Sequence, residues 1–515
     1  MRAVMILILA LPMMCGGAGS PYECPAEFDW NTPVNQALFR HWTKHDCVPA
    51  VMASDAVFLR RVALTVAGRL PTAAETRAFL ADKRPDKRAA AIEKFLDSPE
   101  YADMQAMRFA DMLRIKSEFP INLWPNAVQL WHRAIRDDLA ADRPLGAMFR
   151  EMLTASGSNF RVPHANFFRA SADRSPRGLA ATAMLTVMGM RLERLAPERA
   201  EKFAVLFSRI RFKSTHEWKE EIVYTDYRPV QLEAVLPDGA PVSVASPETD
   251  PRQVFAAWLA KRGDGYFCRA VTNRVWHWVF GRGIYPVADD LPMVPAGGAV
   301  PFCPELQEVL NAELRTHRYS LRHLYRVILN SAAFQAASAP GASARTGHFA
   351  AYPVHRLEAE VVVDALASVL GGYDRYMSVI PEPFTFLPPR TRAVTIADGS
   401  ISTGVLDNFG RPPRDAGTLD ERNAKSSESQ NLYLMNSAGL SGRINRYCRG
   451  LQKRYRKEND RLNGLFLELM SRYPTEHERA VFRAYQRSMA RKEQFQAWTD
   501  TVWVLVNSKE FLFYH

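Results

Sequence analysis

Residues 271–290, V-T-N-R-V-W-H-W-V-F-G-R-G-I-Y-P-V-A-D-D, limit the fold of this chain more than any other stretch. Val271, Val275 and Trp278 recur at helical spacing and Trp276 and Phe280 form an i,i+4 pair, so the segment has a wide apolar face to bury. Gly281 and Gly283 stop that helix, because glycine enters the left-handed cap conformation without steric cost. The chain then runs into two adjacent carboxylates, Asp289 and Asp290. The residues alone predict a core helix, a glycine cap and an exposed acidic loop. Paired acids of this kind are also candidates for general acid–base work.

The rest of the chain reads mostly as helix. Phe58, Leu59, Val62 and Val66 make a stripe that Gly68 ends. Thr72 with Glu75, and Thr475 with Glu478, have capping-box spacing. Ser98-Pro99 and Asp250-Pro251 each place a cap before a first-turn proline. After the Ser320 cap, Leu321, Leu324, Tyr325, Ile328 and Leu329 fit the amphipathic template in full. Further helices are expected over 34–44, 124–139, 144–153, 179–190, 197–210, 355–370 and 495–506. Arg356, Glu360 and Asp364 share one side of the 355–370 segment. Residues 154–170 read as a fixed loop. Period-two alternation over 221–226 and 230–236, then a Pro237-Asp238-Gly239 turn before 241–245, marks the one β region. Residues 336–350 are expected to be mobile and 371–430 mostly irregular. The 515 residues suffice for two or three cores. The expected fold is mainly α: a signal peptide over 1–20, a helical domain over 21–215, a small β segment over 216–249 and a second helical domain over 250–515.

Met1-Arg2, an apolar run over 4–14 and small residues over 16–20 read as a secretory signal peptide cleaved after Ala18. The run is too short to span a bilayer. A lipid anchor on Cys15 is disfavoured by the preceding Pro12-Met13-Met14. A net charge of +11 calls for a negatively charged partner. Export makes nucleic acid a poor choice and leaves an anionic polysaccharide or an envelope protein. Five cysteines follow the signal, and a Cys24–Cys47 bridge is expected in an oxidising compartment. His41, His45 and Cys47 are weak metal candidates, since an i,i+4 histidine pair can bind a metal but no acidic third ligand beyond Asp46 follows. A surface helix end is the better account of them. The sequence holds no nucleophile elbow, Gly-rich phosphate loop, H-E-x-x-H or C-x-x-C-H.

Several stretches follow one another in a distinctive order: F-L-R-R-V-A-L at 58–64, T-A-S-G-S-N-F-R at 154–161, N-R-V-W with F-G-R-G over 273–283, L-D-N-F-G-R-P at 406–412, Y-L-M-N at 433–436 and N-S-K-E-F-L-F at 507–513. Together they resemble an exported two-domain family, the domains of unknown function fifteen-forty-nine and fifteen-fifty-three, which accompany planctomycete-type cytochrome c modules. Close relatives carry a C-x-x-C-H-x-H segment and, after the F-G-R-P turn, a C-x-C. Such thiolates and imidazoles suit a soft metal, an iron–sulfur cluster or a covalently held haem. Here Arg194-Leu195-Ala196-Pro197 stands at the first place, Thr418 and Asp420 stand where the second pair of cysteines would align, and His277-Trp278 replaces a small residue and His. The resemblance therefore implies a chain that has lost such a site and needs no cofactor, with Arg194 and Thr418 near each other. The shared framework, Asn273, Arg274, Arg282, Asp290, Arg356, Glu360, Arg411 and Arg414, then forms either buried ion pairs or a pocket for an anionic ligand, since guanidinium binds carboxylate, sulfate or phosphate at two points. The leading expectation is an exported, non-catalytic scaffold or binding protein with a degenerate metal or haem site. The alternative is an extracytoplasmic hydrolase or redox enzyme acting on polysaccharide or a small substrate through Asp289, Asp290 and Glu360.

Overall fold

Seventeen residues, Asp264–Phe280, form a helix whose apolar face is as wide as the sequence demands. It packs against the helices Pro176–Met188, Pro251–Leu259, Pro304–Thr316 and Leu321–Leu329. The helix ends at Gly281, in the left-handed conformation at φ 73°, with the glycine N–H on the His277 carbonyl. These coordinates are a computed structural model that describes residues 20–228, 231–246, 248–293, 300–339, 344–380, 384–423 and 425–515. The expected signal peptide, Ser20 apart, and Cys15 lie outside the described residues, as does Val230 of the expected second strand.

The architecture is mainly α, with a small strand segment around 210–244. Both predicted capping boxes form, and Ser320 caps its helix. In the N-terminal half, Asp55–Ala67 is buried at every position but its first and packs on Lys87–Leu96 and Pro99–Met112. That burial includes Arg60 and Arg61, whose guanidiniums satisfy carbonyls from distant parts of the chain. Arg60 donates to Leu469 O (2.8 Å) and Phe511 O (3.1 Å), and Arg61 to His515 O (2.9 Å) and Ala336 O (3.0 Å). A single apolar core runs through both halves. Among the described residues no helix is long and apolar enough to cross a membrane.

The structure departs from the sequence expectations in several places. The 197–210 helix stops at Ala204, and Ile210–Ser214 is instead a strand beside Glu221–Thr225, with Gly157–Ser158 on that strand's other edge. The I-R-F-K-S alternation carried this signal, but the helical spacing of Phe203 and Phe207 ran straight into it. His355–Arg356 is a strand paired antiparallel with Phe513–Tyr514, and the helix starts only at Ala359. Arg356 is therefore not on a helix face with Glu360 and Asp364. The described parts of 336–350 are tied down: Ala337 N–H bonds Val51 O (2.8 Å) and Ala50 N–H bonds Ala350 O (2.7 Å). Finally, Cys24 and Cys47 are free thiols. Hydrogen bonds hold the segment where a bridge was expected: Glu23–Cys24 pairs with Met52–Ala53, and Cys47 N–H bonds Trp42 O at 2.9 Å.

Candidate functional site

The turn after the 264–280 helix is built by Asn273. Its Oδ1 accepts the Tyr285 N–H (3.0 Å) and its Nδ2 donates to Ala288 O (3.2 Å). A Cβ on Gly283 would lie 2.6 Å from that Oδ1, so the close approach needs a glycine. The turn returns Asp289 to the helix it left, where Arg274 Nε donates to Asp289 Oδ1 at 3.2 Å. Arg274 also caps the Leu185 and Thr186 carbonyls at the end of the Pro176–Met188 helix. Asp289 is 5% exposed, against the expectation of an exposed acidic loop, because its charge is matched by Arg274 and by the Leu419 N–H on Oδ2 (2.6 Å). Asp290 faces outward and takes a two-point pair from Arg194 at 2.7 and 2.6 Å.

Behind this turn lies a cavity of about 100 Å³ between the two halves of the chain. The Pro99–Met112 helix contributes Arg108 and Asp111 to it, and the 264–280 helix contributes Arg274, His277 and Trp278. Asp289, the 355–358 segment with His355, Arg356 and Glu358, and the 417–422 loop with Thr418 and Arg422 complete the wall. A Cβ on Gly281 would sit 2.6 Å from His355 Cγ, so the cap glycine also makes room for this histidine.

The charges form one network. Arg108 Nη2 donates to Glu358 (3.0 Å), which also accepts the Tyr514 hydroxyl (2.7 Å). Burial pushes the Glu358 pKa up, but Arg108 and Arg422 outweigh it and hold the carboxyl below its ordinary range. Arg422 bridges Glu360 (2.6 Å) and Asp111 (2.6 Å), while Arg411 Nε reaches Glu360 at 3.3 Å and Arg414 Nε reaches Asp111 at 2.8 Å. Glu360 is fully buried; burial alone would raise its pKa, and Arg422 and Arg411 bring it well below the usual carboxylate value. Each of these two carboxylates thus serves two guanidiniums. Arg356 differs. It meets Ser426 Oγ (3.1 Å) and Gln430 Oε1 and lies over the Phe409 and Phe513 rings. It has no carboxylate partner among the described residues, its buried Nε has no acceptor, and burial lowers its pKa. Arg108, Arg274, Arg411, Arg414 and Arg422 thus pair with Asp111, Asp289, Glu358 and Glu360, and with Arg356 outside these pairs the set holds two more guanidiniums than carboxylates.

The histidines do not alter that balance. Burial lowers the pKa of His277, and takes that of His355 down to about 4. Both rings are neutral at pH 7. His355 stacks on Tyr514 and its Nδ1 lies 2.9 Å from Pro353 O, so Nδ1 carries the proton and Nε2 presents a lone pair. His277 Nδ1 is buried without a partner.

Of the residues singled out in the sequence, Arg274, Asp289 and Arg356 line the cavity. Asn273 shapes its turn, and Arg411, Arg414 and Glu360 stand behind its wall. Asp290 is engaged at the rim, and Arg282 donates to Thr346 O while lying over the Phe349 ring. His41 and His45 are elsewhere, in a cluster with His348: His41 Nε2 is 2.9 Å from His348 Nδ1, and the His45 and His348 rings stack. Burial keeps the nearby Cys47 thiol protonated by raising its pKa. Sequence reasoning missed Arg108, Asp111, His355, Glu358 and Arg422. A usable signal existed for the first two, because Gln105, Arg108 and Asp111 interrupt an otherwise buried apolar helix. The donor set around the cavity does not fit a soft metal or haem. No described cysteine lines it, and guanidiniums would repel a cation.

Two family models match the chain. One, PSCyt2, a protein of unknown function (DUF1549), covers residues 33–194, and the other, PSD1, a protein of unknown function (DUF1553), covers residues 251–486. The chain belongs to this two-domain family. Neither the curated proteins nor the solved structures give a match. The two DUF regions flank the strands, and the cavity draws on both: Arg108 and Asp111 come from the DUF1549 region, and the other cavity residues named above come from the DUF1553 region. The last residue of the first match, Arg194, pairs with Asp290 of the second.

Proposed function

We propose that this chain is an exported, non-catalytic binding or scaffold protein whose cavity between the two family regions is the remnant of a metal or haem site and holds a small anionic group. A carboxylate or sulfate of an envelope polysaccharide or protein partner has the right charge and size. The observation that carries this reading is Arg356, a cavity-lining guanidinium 6% exposed and without a carboxylate, in a network with surplus positive charge. Burying unmatched charge is costly, and an anion in the cavity offsets that cost. The remnant reading is supported by position. Arg194 holds Asp290, and Leu419, next to Thr418, holds Asp289, so the two altered segments meet on either side of one acidic pair. The non-catalytic reading is supported by the carboxylates. Asp289, Asp290 and Glu360 are each held by guanidinium, and neither Asp290 nor Glu360 faces the cavity.

The test is equilibrium binding and thermal shift with sulfate, acetate and a uronate-bearing oligosaccharide, against a neutral oligosaccharide of equal length. Saturable binding of the anions, weakened tenfold or more in Arg356→Gln, is expected. Equal binding by wild type and variant would overturn the anion reading, and turnover of the oligosaccharide would overturn the non-catalytic one.

A further inference from the structure

We propose that Glu313, His317 and His323 form a binding site for a zinc-class divalent transition metal, far in character from the arginine-lined cavity. The three residues stand at the connection between the helices Pro304–Thr316 and Leu321–Leu329. Glu313 is in the last turn of the first helix, His317 follows four residues later at its C-cap, and His323 is in the first turn of the second. Their ligand atoms all lie within 4.8 Å of one another.

Both histidines reach the Glu313 carboxylate closely enough for a shared metal. With zinc–ligand bonds of about 2.0–2.1 Å, the edge of a tetrahedron is about 3.4 Å. His323 Nε2 is 2.9 Å from Glu313 Oε2, and His317 Nδ1 is 3.4 Å from the same oxygen. The two imidazoles stack with centroids 3.4 Å apart and planes 16° apart, so a metal shared by both requires the exposed His317 ring to rotate out of the stack. The connection that holds them is fixed from outside. Ser320 Oγ donates to Asp142, the Arg322 N–H donates to the same carboxylate, and the Tyr319 hydroxyl donates to Asp264. Two flanking cations are turned away, Arg315 to Asp264 and Arg322 to Asp97.

Two imidazoles and one carboxylate select zinc, copper or nickel over calcium and magnesium, which prefer all-oxygen sites. His317 is exposed, which leaves the fourth position to water or an incoming ligand. The His317 Nδ1 also lies 3.0 Å from the Glu313 carbonyl. On metal binding this nitrogen gives up any proton it carries to solvent and offers its lone pair instead, so affinity falls as pH drops.

The test uses the full chain, stripped with chelator and titrated with zinc chloride against a chromophoric competitor. One zinc per chain is expected, with a dissociation constant at or below the micromolar range. His317→Ala and His323→Ala each weaken it tenfold or more, while His41→Ala, in the other histidine cluster, leaves it unchanged. X-ray absorption of the zinc-loaded chain shows two imidazoles in the expected case. The exposed position of His317 makes its variant safe for folding, and circular dichroism checks both. Unchanged zinc affinity in both variants, loss in the His41 variant instead, or binding only at millimolar zinc would each overturn the assignment.

Discussion

Gly281 has to satisfy two demands at one position. Its φ of 73° is a conformation that other residues adopt at a cost, and a Cβ there would meet His355 Cγ at 2.6 Å. The left-handed strain and the displaced histidine add up, so Gly281→Ala is expected to lose about 2–3 kcal/mol, read as a shift in the urea midpoint with unchanged slope. A loss under about 0.5 kcal/mol would show that the cap does not position His355. The glycine cap was legible because it depends on residues adjacent in the chain. The Glu360 pairings were legible only in part: the family motifs pointed to Glu360 and Arg411, but not to Arg422, 62 residues away. That distance sets up a second test. Arg422→Ala leaves the buried Glu360 and the half-buried Asp111 with one cation each, and a broken buried pair costs about 3–5 kcal/mol. The double variant Arg422→Leu with Glu360→Leu should recover none of that loss, measured by the same titration, because it leaves the buried Arg411 without its carboxylate.

Among the elements, the short His355–Arg356 strand decides what the cavity contains, and no local pattern announced it. Its partner is Phe513–Tyr514, and a two-residue pairing across that much chain leaves no periodicity to read. Helices with caps and stripes close at hand were read almost to the residue, as Pro33–Lys44 and Gln494–Val506 show. The strand has a pH consequence. His355 drops from 6.5 to about 4 by burial, so it is neutral in the fold and charged in the acid-unfolded chain. Stability from such a group is present above pH 6.5 and is lost as pH falls through 4. His132, taken down to about 3, and His515, taken down to about 4, both by burial, act in the same direction. Asp364 opposes them: burial lifts it from 3.8 to about 7, so its contribution is present below pH 3.8 and lost as pH rises through 7. With His41, also taken down to about 4 chiefly by burial, four histidines stand against one aspartate, and unfolding free energy should rise from pH 4 to 6. Each histidine contributes a slope of about 1.4 kcal/mol per pH unit within its window. His355→Gln should flatten the profile by about one proton, and a wild-type profile that is level between pH 4 and 6 would contradict the assignment.

For the whole molecule, the order of motifs revealed the family, but the cavity between its two regions had no counterpart in either region's own sequence pattern. The C-terminus shows why. Phe513 covers Arg356, the Tyr514 hydroxyl donates to Glu358 and the His515 carbonyl accepts from Arg61 of the buried Asp55–Ala67 helix. Three residues thus tie the first long helix, the cavity strand and the cavity carboxylate together. Deleting residues 513–515 removes the strand pairing and leaves Arg61 with fewer acceptors in a dry core. The expected loss is about 3–5 kcal/mol, since a buried charge is left short of partners. The loss should not stay local. Hydrogen exchange at 355–358 should speed up, and the anion response should weaken together with Arg356's stacking, whereas zinc binding by Glu313, His317 and His323 should survive in the chain that remains folded. If the shortened chain keeps its midpoint and its protection at 355–358, the C-terminal strand does not organise the cavity. Arg356 must then be held there by Ser426, Gln430 and Phe409 alone.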